Sequence, residues 1–144
     1  MRHERQGKQE CQLATLAMLA DIPLTDVRWF ALSWAGVNQW LAVWGTGKFW
    51  PTVSAVKEVL GLNLSLVNRQ SGSNMRRGAP KSAELSGRGQ LSFRQLGGAW
   101  HAVAYEDGVV YDPVFEGPMP VATWMQRIGR KWLSYYLSPL EDQT

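Results

Sequence analysis

Apolar residues fall on nearly every side of residues 11–20, CQLATLAMLA, which hold strong helix formers and neither Gly nor Pro. That pattern predicts a helix buried all round. Ile22-Pro23 ends it, and LTDVRWFALSW from Leu24 predicts a second helix, with Thr25 placed to cap it and Gly36 to break the run. VNQWLAVW at 37–44 reads as a short third helix and PTVSAVKEVLG at 51–61 as a fourth, opened by Pro51 or Thr52 and closed by Gly61. From residue 62 the period shortens to two. LNLSLV at 62–67 and QLSFRQL at 90–96 alternate as strands do, and HAVAY and VVYDP flank Asp107-Gly108, a strong signal for a tight hairpin. VATWMQRI at 121–128 reads as a short helix before a last strand, KWLSYYL. Helices first and strands later predict an α+β domain, a buried helix packed on an antiparallel sheet.

One stretch fits neither period. Residues 68–90, NRQSGSNMRRGAPKSAELSGRGQ, carry Arg69, Arg76, Arg77, Lys81 and Arg88 against Glu84 alone, and are rich in Ser and Gly. They read as a basic, flexible loop. The rest of the composition is that of one domain: 144 residues are enough to bury most of their apolar surface without staples. Eight tryptophans against four phenylalanines is an unusual aromatic balance, and Trp29, Trp34, Trp40 and Trp44 are expected to pack helices together. The polar opening MRHERQGKQE is unlike a signal peptide, and no eighteen consecutive residues are apolar, so the expectation is a cytoplasmic protein without a membrane partner. The lone cysteine, Cys11, has no internal disulfide partner.

The hairpin gives the chain its candidate chemistry. If Asp107 and Gly108 are the two turn residues, Glu106 faces Val109, Tyr105 faces Val110 and Val103 faces Asp112. His101 and Asp112 then share one face of the sheet, diagonal neighbours within reach of a side-chain hydrogen bond. A carboxylate that orients an imidazole leaves the other ring nitrogen to take a proton from a nucleophile. Cys11 is the candidate nucleophile, because it opens the buried helix, where the positive end of the helix dipole favours a thiolate.

Two segments carry a resemblance. RQGKQECQLATLAMLADIPLTDV resembles the glutamine-and-cysteine helix opening of the papain-like cysteine peptidases, particularly the compact bacterial and phage C39-like group. GRGQLSFRQLGGAWHAVAYEDGVVYDP resembles that group's histidine strand, turn and Asp-Pro ending. Together they span about half the chain. The resemblance implies a papain-like fold and a cysteine peptidase or amidase that needs no cofactor. Cys11 would be the nucleophile, His101 the general base and acid, and Asp112 the orienting carboxylate. It also implies an oxyanion-binding glutamine shortly before the cysteine, assigned to Gln6 with Gln9 as the alternative. Gln12 departs from the pattern, which has a small residue after the cysteine.

A peptide or protein substrate follows from that reading; the same machinery would serve a deamidase or an acyltransferase. The alternative of another class is an inactive papain-like module that uses the basic loop to hold nucleic acid or an acidic protein. Phe93 is the one aromatic near that loop's charge, which argues against nucleic acid as a partner. His3, His101 and Cys11 lack the paired spacing of a zinc site, so no metal is expected, and no glycine-rich phosphate loop occurs.

Overall fold

A computed structural model describes residues 1–7, 9–64, 75–95, 100–129 and 132–141. Four helices come first: α1 (Cys11–Ala20), α2 (Leu24–Ala35), α3 (Trp40–Trp44) and α4 (Phe49–Val59). The strands β1 (Met75–Arg77), β2 (Arg88–Gln95), β3 (Trp100–Glu106), β4 (Val109–Tyr111), β5 (Met119–Pro120) and β6 (Trp132–Pro139) follow. A fifth helix, α5 (Val121–Ile128), lies between the last two strands. The described strands form one antiparallel sheet in the order β1-β6-β2-β3-β4-β5. The architecture is α+β, as expected.

Every residue of α1 from Gln12 to Leu19 is buried. Burying each of its large apolar side chains is worth about 1.5–3 kcal/mol. The helix packs on β3, where Ala102 and Ala104 present small side chains that allow a close approach. It stops at Asp21, which takes a left-handed conformation (φ 55°), while Ile22 N–H returns to Ala17 O at 3.0 Å. This is a hydrogen-bonded helix stop, and Pro23 follows at once. Helices α2 and α4 cover the outer flanks of α1. On the other face of the sheet, Leu91, Phe93, Val103, Tyr105 and Val110 form a second core with Leu85, Val121 and Trp124.

Several local expectations change. Helix α2 begins at Leu24 with Pro23 as its N-cap and no side-chain cap, so Thr25 lies inside the first turn. Helix α4 opens two residues early, at Phe49. The basic stretch is not a loop throughout: Met75–Arg77 pair with β6, Ser82–Leu85 form a 3-10 turn, and β2 starts at Arg88. Its order comes from side chains the period misses, since Leu85 is fully buried and Glu84 accepts hydrogen bonds from Tyr135 Oη (2.6 Å) and Arg76 Nη1 (3.1 Å). Residues 68–74 of that stretch, and residues 65–67 of the strand expected at 62–67, lie outside the described residues. Leu64 makes a bridge to Leu140.

The tryptophans differ most from expectation. Trp40 is 4% exposed, but Trp29 is 71% exposed, and Trp34 and Trp44 are also on the surface. The reason is helical phase. Leu24, Val27, Ala31 and Ala35 form the buried stripe of α2, so positions 29 and 34 fall on the opposite side. No helix among the described residues is long and apolar enough to cross a membrane.

Candidate active site

The hairpin has the expected two-residue turn. Asp107 and Gly108 both have positive φ (49° and 82°), the geometry that matches the twist of the flanking strands. Glu106 pairs with Val109 and Tyr105 with Val110, as the register requires. The ladder ends one residue short of the expected Val103–Asp112 pair, because the chain turns at Asp112 and Phe115 N–H bonds back to Asp112 O. Asp112 still meets His101: its Oδ1 accepts from His101 Nε2 at 2.8 Å.

That carboxylate is fixed from three sides. Oδ1 also accepts from Val114 N–H at 3.0 Å, and Oδ2 accepts from the Trp124 indole at 2.9 Å. Trp124 is fully buried on α5 and packs edge-to-face on Phe93, whose ring makes a similar contact with His101. Replacing Trp124 by Phe is expected to keep the apolar packing but strand Oδ2 without a donor. The measured loss in stability should be about 1–3 kcal/mol. A loss under about 0.5 kcal/mol would show that water replaces the indole.

Cys11 is partly exposed at the first turn of α1 and lines one cleft with His101. Since Nε2 faces Asp112, the ring nitrogen on the Cys11 side is Nδ1. Burial would raise the thiol's pKa, but the hydrogen bond and charge of His101 and the backbone N–H groups of Ala102 and Gln12 outweigh it, and the net shift is downward. Burial would lower the imidazole's pKa, but Asp112 and Cys11 together push it up to about 9. The Asp112 carboxyl is held below its usual range: burial opposes this, and His101, Val114 and Trp124 prevail. The arrangement favours a thiolate beside an imidazolium.

The segment before Cys11 is held by contacts that the sequence did not signal. Glu10 is 3% exposed; its Oε1 accepts from Gly7 N–H at 2.7 Å and from Arg28 Nη2 at 2.8 Å. A Cβ on residue 7 would press on Glu10 Oε1, so a larger residue there would shift the carboxylate from its place beside Arg28. Trp40 Nε1 donates to Gln9 O at 2.8 Å, and Gln9 takes a positive φ of 61°. Signals for these contacts were absent because Arg28 and Trp40 are distant in sequence.

Two clefts flank His101. The first, about 230 Å³, is lined by Cys11, Gln9 and Gln12 together with Trp44, Phe49, Trp50, Trp100 and Tyr136. Trp100, the first residue of β3 and the neighbour of His101, lines both clefts. Of the two glutamines considered for the oxyanion, Gln9 lines the Cys11 cleft. Gln6 is held by its backbone N–H on Pro113 O at 2.9 Å, on the Asp112 side. Gln12 is buried and exchanges amide hydrogen bonds with Gln90, which keeps its bulk against the sheet. The second cleft, about 330 Å³, is lined by His101, Asp112, Val114, Phe115, Arg127 and Ile128 among others. Gly97 and Gly98, which precede β3 in the sequence, lie outside the described residues.

No family model and no curated protein matches the chain. Among solved structures it is similar to the Pseudomonas avirulence protein AvrPphB, at 15% identity over 92% of each chain, with a TM-score of 0.48.

Proposed function

We propose that this chain is a papain-like cysteine hydrolase that opens an amide bond through an acyl-enzyme. The observation that carries the reading is that Cys11 and His101 meet in the wall of one cleft, with His101 held from behind by Asp112 at 2.8 Å. The Cys11 thiolate attacks the carbonyl carbon, and the oxyanion that forms takes the Cys11 backbone N–H, one of the helix donors without an intrahelical acceptor, and the Gln9 side chain. Imidazolium His101 gives its proton to the leaving nitrogen as the carbon–nitrogen bond breaks. It then removes a proton from the water that releases the acyl group and returns Cys11 to the thiolate. Asp112 stays ionised and orients the ring. The aromatic walls of the first cleft suit a bulky apolar side chain on the acyl side of the substrate.

The test is the pH dependence of Cys11 alkylation by iodoacetamide. A lowered thiol pKa means the reactive anion persists below the ordinary value of about 8.5 and is lost only as pH falls through the lowered pKa. The wild-type rate is therefore expected to exceed that of His101→Ala increasingly as pH falls below about 8.5, while His101→Ala follows an ordinary thiol titration. Hydrolysis should fade as pH rises through about 9, where His101 loses the proton it must donate. A wild-type alkylation curve that coincides with that of His101→Ala would refute the ion pair.

A further inference from the structure

The second cleft has no part in the steps above, yet His101 is in its wall. The first cleft contains the sulfur and so receives the acyl portion of a substrate. The proton for the leaving nitrogen comes from His101, which places that nitrogen against the imidazole and directs the rest of the leaving group past the ring. Resting on the proposed hydrolase reading, we infer that the second cleft is the leaving-group subsite and that Arg127 selects a carboxylate there.

Four observations support this. Arg127 is exposed in the last turn of α5, and its Cζ sits 4.6 Å from the centre of the Phe115 ring, which fixes the guanidinium at the cleft wall. No carboxylate among the described residues forms an ion pair with it. Between Glu116 and Glu141 every charged residue is basic: Arg127, Arg130 and Lys131. The anion already in the cleft, Asp112, is 2% exposed, and both of its oxygens accept from the protein, with the imidazolium beside it offsetting its charge. A planar guanidinium with free N–H groups is suited to paired hydrogen bonds with a carboxylate. Val114, Phe115 and Ile128 would cover the ligand's apolar stem.

The carboxylate has two sources, an acidic side chain or the free end of a peptide. Three dipeptides that mimic the released fragment separate them: Glu-Ala-amide, Gln-Ala-amide and Gln-Ala with a free carboxyl. Each is titrated onto the full-length wild type and onto Arg127→Gln, with binding followed by tryptophan fluorescence, because Trp100 lines the cleft. At least one carboxylate peptide is expected to bind about fivefold more tightly than Gln-Ala-amide at low salt. Arg127→Gln should bring that peptide and the neutral one to the same affinity. A preference for Glu-Ala-amide assigns the site to an acidic side chain; one for the free acid assigns it to a chain end. Equal affinities on the wild type, or a preference that survives Arg127→Gln, overturn the inference. Catalysis is read separately: charge-selective binding by a protein whose Cys11 shows ordinary alkylation would leave Arg127 as a carboxylate site but remove the hydrolase reading and, with it, the leaving-group role of the cleft.

Discussion

Asp112→Asn is expected to lower kcat by about three to four orders of magnitude while the chain still folds. The amide is nearly isosteric, so the effect comes from its donors. Asp112 accepts three hydrogen bonds, from His101 Nε2, Val114 N–H and the Trp124 indole. An asparagine has one oxygen for these. If its NH₂ faces the indole, two donors collide. If its NH₂ faces His101, the ring is forced to carry its proton on Nδ1, and it can no longer receive one from Cys11. Either orientation also removes the charge that pushes the imidazole up, so the alkaline limb of the activity profile should move down from about 9 towards the ordinary histidine value. Circular dichroism and a thermal melt would check the fold beside the kinetics. A kcat within tenfold of the wild type would show that the ring is oriented by packing against Phe93 instead.

The second large effect is on stability. Arg28→Met leaves the Glu10 carboxylate buried, with Gly7 N–H as its remaining described donor. Removing one partner of a fully buried pair costs about 3–5 kcal/mol. The Arg28 side chain is 34% exposed, so screening reduces the expected loss to about 2–3 kcal/mol. For a domain of this size that is a fall in Tm of roughly 6–12 °C. Combining it with Glu10→Gln should recover part of the loss, since the amide oxygen can still accept from Gly7 while no charge is stranded. Chemical denaturation of the four proteins in this double-mutant cycle measures the coupling. Additive single effects would show that Glu10 and Arg28 act independently and that the turn before Cys11 is held by other contacts.

The parts of this molecule legible in the sequence are those fixed by neighbours along the chain. The all-round apolar run that buries α1 is local, and so is the Asp-Gly turn whose register carries Asp112 to His101. The alternation that defines β2, β3 and β6 is local too. The triad candidates followed because Cys11 opens one of these elements and His101 and Asp112 lie near the ends of two others. What stayed hidden depends on pairings across the fold. Trp124 is one apolar letter in a short helix until α5 is laid under Asp112. Glu10 reads as a surface acid until Arg28 turns towards it. Leu85 is too isolated in a polar stretch to announce a core. The outward tryptophans of α2 follow from which stripe of the helix is buried. Sequence composition suggested the reverse, because large aromatics so often fill interiors.

The sheet order has a consequence in time. Cys11 and His101 are separated by 90 residues (101 − 11), and the strand that completes the sheet between β1 and β2 is β6, the last to be made. A chain emerging from its N-terminus therefore displays the thiol long before the imidazole exists. Until these distant segments close on one another, Cys11 has no ring beside it to draw off its proton. On the proposed reading, an unfinished chain that lacks β3 carries a sulfur no more nucleophilic than that of free cysteine.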